Sequence, residues 1–274
     1  MKLFMDSFWR ALAYCMHPKV IMLSLLPLIL MAVIVTGLGF VYWDLAVDTV
    51  RTGMEGSPAL GWAWTWLERV GLLNLKTVLA PLVIILAVTP VVMIMSLLAV
   101  SFMMTPALVS LVGTRRFPDL ERKRGGSLWQ SVLWTFMSVI LAMGALILTL
   151  PFWLIPPLAI LFPALIWGWL TYRVMTYDVL AEHASNQERV ELMKRYRFQL
   201  LGMGVLTGAM GAAPSLVWAS GALFAAAFVI LIPVAVWIYT LVFIFSALWF
   251  VHFLLLALSK LREEPIIILN EAQP

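Results

Sequence analysis

From Phe198 to Ser259 the chain runs for 62 residues without one Asp, Glu, Lys or Arg. A helix that crosses hydrocarbon needs about 20 consecutive apolar residues, so this run alone is long enough to cross twice. Three other apolar runs precede it. Residues 20–42 form a first span. Residues 77–106 form a second, marked by Pro81, Pro90 and Pro106. Residues 128–171 form a third block broken by Pro151, Pro156, Pro157 and Pro163. Each proline removes a helical donor and clashes with the preceding turn. The third block is therefore expected to be a helical hairpin with its tip near Trp153. The last block, 198–259, is expected to be a second hairpin, broken at Gly211-Ala-Ala-Pro214 and kinked at Pro233.

Polar segments punctuate these runs. In the unit Leu3–Met16, polar residues Asp6, Ser7, Arg10 and Tyr14, continued by His17, recur at helical spacing, with Leu3, Phe4, Phe8, Trp9, Leu12 and Cys15 filling the other face. This amphipathic helix, within segment 1–19, either lies in the membrane interface or packs on the bundle. Pro18 ends it. Segment 43–76 holds both charge signs and the cluster Trp62, Trp64 and Trp66, and reads as an outer loop lying partly along the headgroups. Residues 114–127 form the most basic loop. Segment 172–197 contains Ser185-Asn-Gln-Glu188, a capping box that opens a helix through Arg197. A short polar tail, 260–274, follows.

Composition agrees: 63% hydrophobic and 12% charged residues, against about 25% charged in soluble domains. The expected fold is an all-α integral membrane protein in a single membrane domain. It comprises an amphipathic N-terminal helix, two long transmembrane helices and two proline-broken hairpins, giving four to six spans. Of 18 Lys and Arg residues, 15 lie in segments 1–19, 114–127, 173–197 and 260–274. The positive-inside bias then places both termini in the cytoplasm, which requires an even number of crossings. The net charge of +4 sits in short loops beside apolar runs, so a lipid bilayer rather than nucleic acid is the expected partner. No cleavable leader is expected, because Asp6 and Arg10 interrupt the first 16 residues and no small-residue cleavage site follows.

Candidate chemistry is sparse. The single cysteine, Cys15, excludes an internal disulfide. The three histidines lie apart, and no HExxH, P-loop or GxGxxG occurs, so no enzyme, metal or cofactor is expected. His252, alone within a span, reads as a hydrogen-bonded packing residue or a proton carrier. Pro18 and Lys19 open the first span with a helix N-terminus beside a cation, which suits an anion site or a membrane anchor with a snorkelling lysine. Gly204, Gly208 and Gly211 form a small-residue stripe expected to pack helices. A polar path would have to use Ser96, Ser101, Thr105, Ser215, Ser220 and Ser246.

The layout resembles the CysZ-type sulfate permeases, grouped with the etoposide-induced membrane proteins. The likeness rests on Pro18 after the amphipathic helix, Pro27 in Leu25-Leu-Pro-Leu-Ile-Leu30, and the turn Thr105-Pro106-Ala107-Leu108. Tyr177-Asp178 to Glu182-His183 and Ile232-Pro233-Val-Ala-Val-Trp237 complete it. The resemblance implies a homo-oligomer and a small-anion substrate such as sulfate; Lys19 at the helix start, with Arg115 or Arg116 on the cytoplasmic side, is then expected to attract the anion. Where those permeases carry a Gly-hydrophobic-Arg element, this chain has Lys19-Val20-Ile21-Met22. A membrane scaffold that organises lipids or other membrane components is the alternative reading.

Overall fold

The computed structural model describes residues 2–55, 75–123, 125–218 and 221–271. They form eight α-helices and one 3-10 turn: α1 (Lys2–Cys15), α2 (Pro18–Glu55), α3 (Leu75–Arg116), α4 (Leu128–Thr149), the turn Leu150–Leu154, α5 (Pro156–Leu180), α6 (Asn186–Arg195), α7 (Arg197–Trp218) and α8 (Gly221–Glu271). No strand occurs among the described residues. Four stretches there are long and apolar enough to cross a membrane: Pro18–Gly53, Trp129–Leu154, Pro157–Leu180 and Leu231–Glu264. The expected all-α membrane architecture is the one observed.

The helices are longer than the apolar runs suggest. Helix α2 continues past residue 42 to Glu55, and α3 runs through Pro106 to Arg116, so Thr105-Pro106 is not a turn. Helix α5 passes residue 171 and ends at Leu180. Pro214 does not break α7, which reaches Trp218, and Pro233 lies inside α8. In hydrocarbon, an interrupted helix leaves backbone groups with no water to satisfy them, so the chain stays helical across isolated prolines. The paired prolines act differently. Pro151 sits in the 3-10 turn, with Trp153 beside it, while Pro156 and Pro157 open α5, where their missing donors are unneeded. The tryptophan-rich stretch Trp62–Trp66 lies outside the described residues.

The chain divides into two compact units, residues 1–25 with 101–274, and residues 26–100. In the first, α8 is the core. Its apolar window is 78% buried, against 11% for the window over α4 and the 3-10 turn, and Trp249, Phe250, Phe253 and Leu254 are fully buried. Helix α1 packs on α8 through an aromatic cluster in which Phe8 meets Phe245 and Trp249 edge-on at 5.4 and 5.1 Å. Its other face exposes Met5, Trp9 and Leu12, and Met16 just beyond its end is exposed as well. The helix thus packs on the bundle and still presents an apolar edge to lipid.

Helices α5 and α7 meet at a glycine pair. A Cβ on Gly204 would lie 2.1 Å from the Gly168 carbonyl oxygen, and one on Gly168 would lie 2.3 Å from the Val205 side chain. At Gly208 and Gly211 a Cβ would meet no described atom within 4 Å. In the second unit, α2 and α3 border a cavity of about 360 Å³ lined by Val35, Leu38, Tyr42, Trp43, Ile84 and Val88 among others.

Candidate anion site and its family

His17 ends the link from α1 and stands immediately before Pro18, the first residue of α2. Its carbonyl accepts from the Val20 and Ile21 amides at 2.8 and 3.0 Å, and its Nδ1 lies 3.2 Å from the Lys19 amide. Pro18 has no N–H. The first-turn donors of α2 therefore already face His17, and the helix N-terminus is not open to a ligand. The cationic side chains beside it remain. Lys19 and Arg115 are exposed, and neither has a carboxylate within ion-pair distance among the described residues. Arg115, at the end of α3, reaches His17 Nε2 at 2.7 Å, so the structure brings its guanidinium and the Lys19 backbone amide to one imidazole.

Arg116, the third expected anion-binding residue, has other work. It donates through Nη2 to Asp6 at 3.1 Å and through Nη1 to His252 Nδ1 at 3.1 Å, and its guanidinium lies over Phe117. Only 18% of its side chain is exposed. Arg10 binds both Asp6 oxygens at 2.9 Å and, with Arg116, holds that carboxyl below its ordinary range against the opposing effect of burial. His252 is fully buried, edge-on to Tyr14 at 4.7 Å. It accepts at Nδ1, while its buried Nε2 has no partner among the described residues. The network ties α1, the end of α3 and α8 together, and Arg116 is its hub.

The basic loop is tied down further along. Arg262 of α8 binds Glu188 at 2.9 and 3.1 Å and donates to the carbonyls of Glu121 and His183 at 3.0 and 2.7 Å. Lys123 also pairs with Glu188, and Arg122 with Glu182, each at 2.9 Å. Ser185 and Glu188 form the expected capping box of α6. Burial pushes the Glu188 carboxyl upward, but Arg262, the Ser185 amide and Lys123 outweigh it and hold the group at about 2.

Of the candidate path residues, Ser96 and Ser246 are buried with hydroxyls that have no partner among the described residues, and Thr105 is buried as well. The side chains of Ser101, Ser215 and Ser220 lie outside the described residues. Sequence reading missed the gathering role of His17. Its signals were its helical spacing on the polar face of the first segment and its place before Pro18, a cap position; its contact with Arg115, 98 residues away, left none.

A helical, multi-pass membrane protein, with an arginine at one helix junction that has no carboxylate partner among the described residues, is what the geometry defines. Residues 7–220 match the model of the family described as Sulfate transporter CysZ/Etoposide-induced protein 2.4. The chain belongs to that family. No curated protein and no solved structure matches it.

Proposed function

We propose that the chain is a permease or channel for a small oxyanion, sulfate being the class the family description names. The observation that carries this reading is the junction at His17, where the Arg115 guanidinium and the Lys19 backbone amide meet one imidazole and neither side chain has a carboxylate partner among the described residues. Unpaired cations at one helix junction raise the local concentration of anions. Arg115 supplies the forked donors that Lys19 lacks. The lysine and arginine distribution supports cytoplasmic termini. The resemblance supports a bacterial inner membrane and assembly as a homo-oligomer.

Radiolabelled sulfate uptake into sealed proteoliposomes tests the proposal. Saturable uptake, competed by related oxyanions and lowered roughly tenfold by Arg115→Gln as expected for losing a hydrogen bond to a charged group, supports it. Uptake no greater than in protein-free vesicles retires it. A non-transporting scaffold is the second reading. It is favoured by the apolar lining of the cavity between α2 and α3 and by the apolar core of α8, in which Thr240, Ser246 and His252 are the buried polar exceptions among the described residues.

A further inference from the structure

The α4–α5 hairpin carries an aromatic and cationic ladder that the anion site does not use. Trp169, Arg173 and Tyr177 recur at every fourth position of α5 and so share one face. Trp134 of α4 lies against that face. Its ring stacks on Tyr177 at 5.4 Å, and the Arg173 guanidinium sits over it with Cζ 4.2 Å from the ring centroid. Trp169 approaches the same guanidinium at 5.1 Å, and Arg189 closes the far end over Tyr177 at 4.0 Å.

Two hydrogen bonds fix Arg173 in this stack. Its Nε donates to Ser138 Oγ at 2.9 Å, and Trp134 Nε1 donates to its backbone carbonyl at 3.2 Å. Ser138 Oγ itself donates to the Trp134 carbonyl at 2.7 Å. The remaining donors, on Nη1 and Nη2, have no partner among the described residues, and no described carboxylate lies within ion-pair distance. The side chain is half-buried, so those donors are accessible.

A cation in a membrane hairpin is costly without a counter-charge. Its level along the helix suggests where one is found. Arg173 stands roughly 26 Å along α5 from Pro156 at the helical rise, close to the full depth of a hydrocarbon core of about 30 Å. That places it at the boundary where headgroup phosphates begin, the level that Trp134 and Trp169 also favour. Met137 and Leu141 follow Trp134 at three- and seven-residue spacing and remain exposed, offering an apolar track toward the hairpin turn.

We propose that Arg173 binds the phosphate of an anionic membrane phospholipid. The indoles hold the guanidinium plane, Nη1 and Nη2 grip two phosphate oxygens, and an acyl chain runs along Met137 and Leu141. The apolar track favours a lipid over a free oxyanion. The site is independent of sulfate transport.

Native mass spectrometry of the full-length protein, delipidated and titrated with phosphatidylglycerol or phosphatidylcholine, tests it. The wild-type chain should retain phosphatidylglycerol preferentially. Arg173→Gln should weaken that retention about fivefold, the scale of one cation at a membrane surface, and erase the headgroup preference. Arg173→Lys, which keeps the charge and loses the fork, should fall between them and serves if the Gln variant does not fold. Arg195→Gln, which breaks an exposed pair with Glu264, should change nothing. Equal retention by wild type and the Arg173 variants overturns the proposal. So does displacement of the lipid by millimolar inorganic phosphate or sulfate, which would make this a free-anion site.

Discussion

His17 faces two donors and can accept from only one. A neutral imidazole offers a single lone pair, yet the Lys19 amide points at Nδ1 from 3.2 Å and Arg115 at Nε2 from 2.7 Å. The shorter, charge-assisted contact favours Arg115, and with the proton then on Nδ1 the Lys19 amide has no acceptor on that ring. If His17 orients Arg115 for an anion, His17→Ala should lower sulfate uptake about fivefold, the value of one ordinary hydrogen bond. His17→Asn should cap the helix without restoring uptake. Rescue by Asn would instead assign the loss to the cap. Glu188 makes a separate residue-scale prediction. Its folded value of about 2 lies below the ordinary 4.5, so the stability it contributes is fully present above about 4.5. It is lost as pH falls from there through the folded value. Thermal unfolding in detergent should show that acid loss in the wild type and a smaller one in Glu188→Gln. Identical acid profiles would remove Glu188 as its source.

At the scale of elements, the α5–α7 contact separates two glycines of one stripe. A methyl at Gly204 collides with the Gly168 carbonyl, a backbone atom that can yield only if a helix moves. Gly204→Ala should destabilise the fold by about 2 kcal/mol, in the range of overpacking. Gly208→Ala meets open space, so helix propensity should make it neutral or stabilising by up to ~1 kcal/mol. Melting temperatures of the two variants in one detergent check the contrast; equal shifts would contradict it. Sequence alone showed the stripe but not its partner, because Gly168 stands alone in its own helix. The same limit explains helix lengths. Hydropathy located the membrane helices, yet charge at Asp44, Asp48 and Arg51 read as loop where α2 continues to Glu55. Pro106 and Pro214 read as breaks because proline rules are learned in water, whereas lipid penalises an opened backbone more than a lost donor. The capping box at Ser185 was legible because all its chemistry lies within four residues.

For the whole molecule, the first unit fixes how often the chain turns back. Arg262 bonds the end of α8 to the Glu121 carbonyl after α3, to the His183 carbonyl after α5 and to Glu188 in α6. Arg116 joins the end of α3 to Asp6 in α1. The positively charged segments are therefore held together, and the chain between Leu128 and Leu180 must leave and return on one side. Helix α4, with 22 residues, is roughly 33 Å long, more than a hydrocarbon core of about 30 Å. A hairpin of that length is expected to cross fully, with the turn Leu150–Leu154 emerging on the face opposite the basic loop. In a Cys15→Ser background, a membrane-impermeant maleimide applied to intact cells should label Trp153→Cys, whose parent side chain is 41% exposed, and should spare Lys123→Cys until the cells are opened. Labelling of Trp153→Cys only after opening would place the tip on the cytoplasmic side. Protection of Trp153→Cys under both conditions, in a chain that still folds, would mean that the tip stays within the bilayer and that the hairpin is re-entrant. The excess length of α4 would then have to be taken up by tilt, which a helix exposing Trp129, Leu133, Phe136 and Ile140 along its length can accommodate.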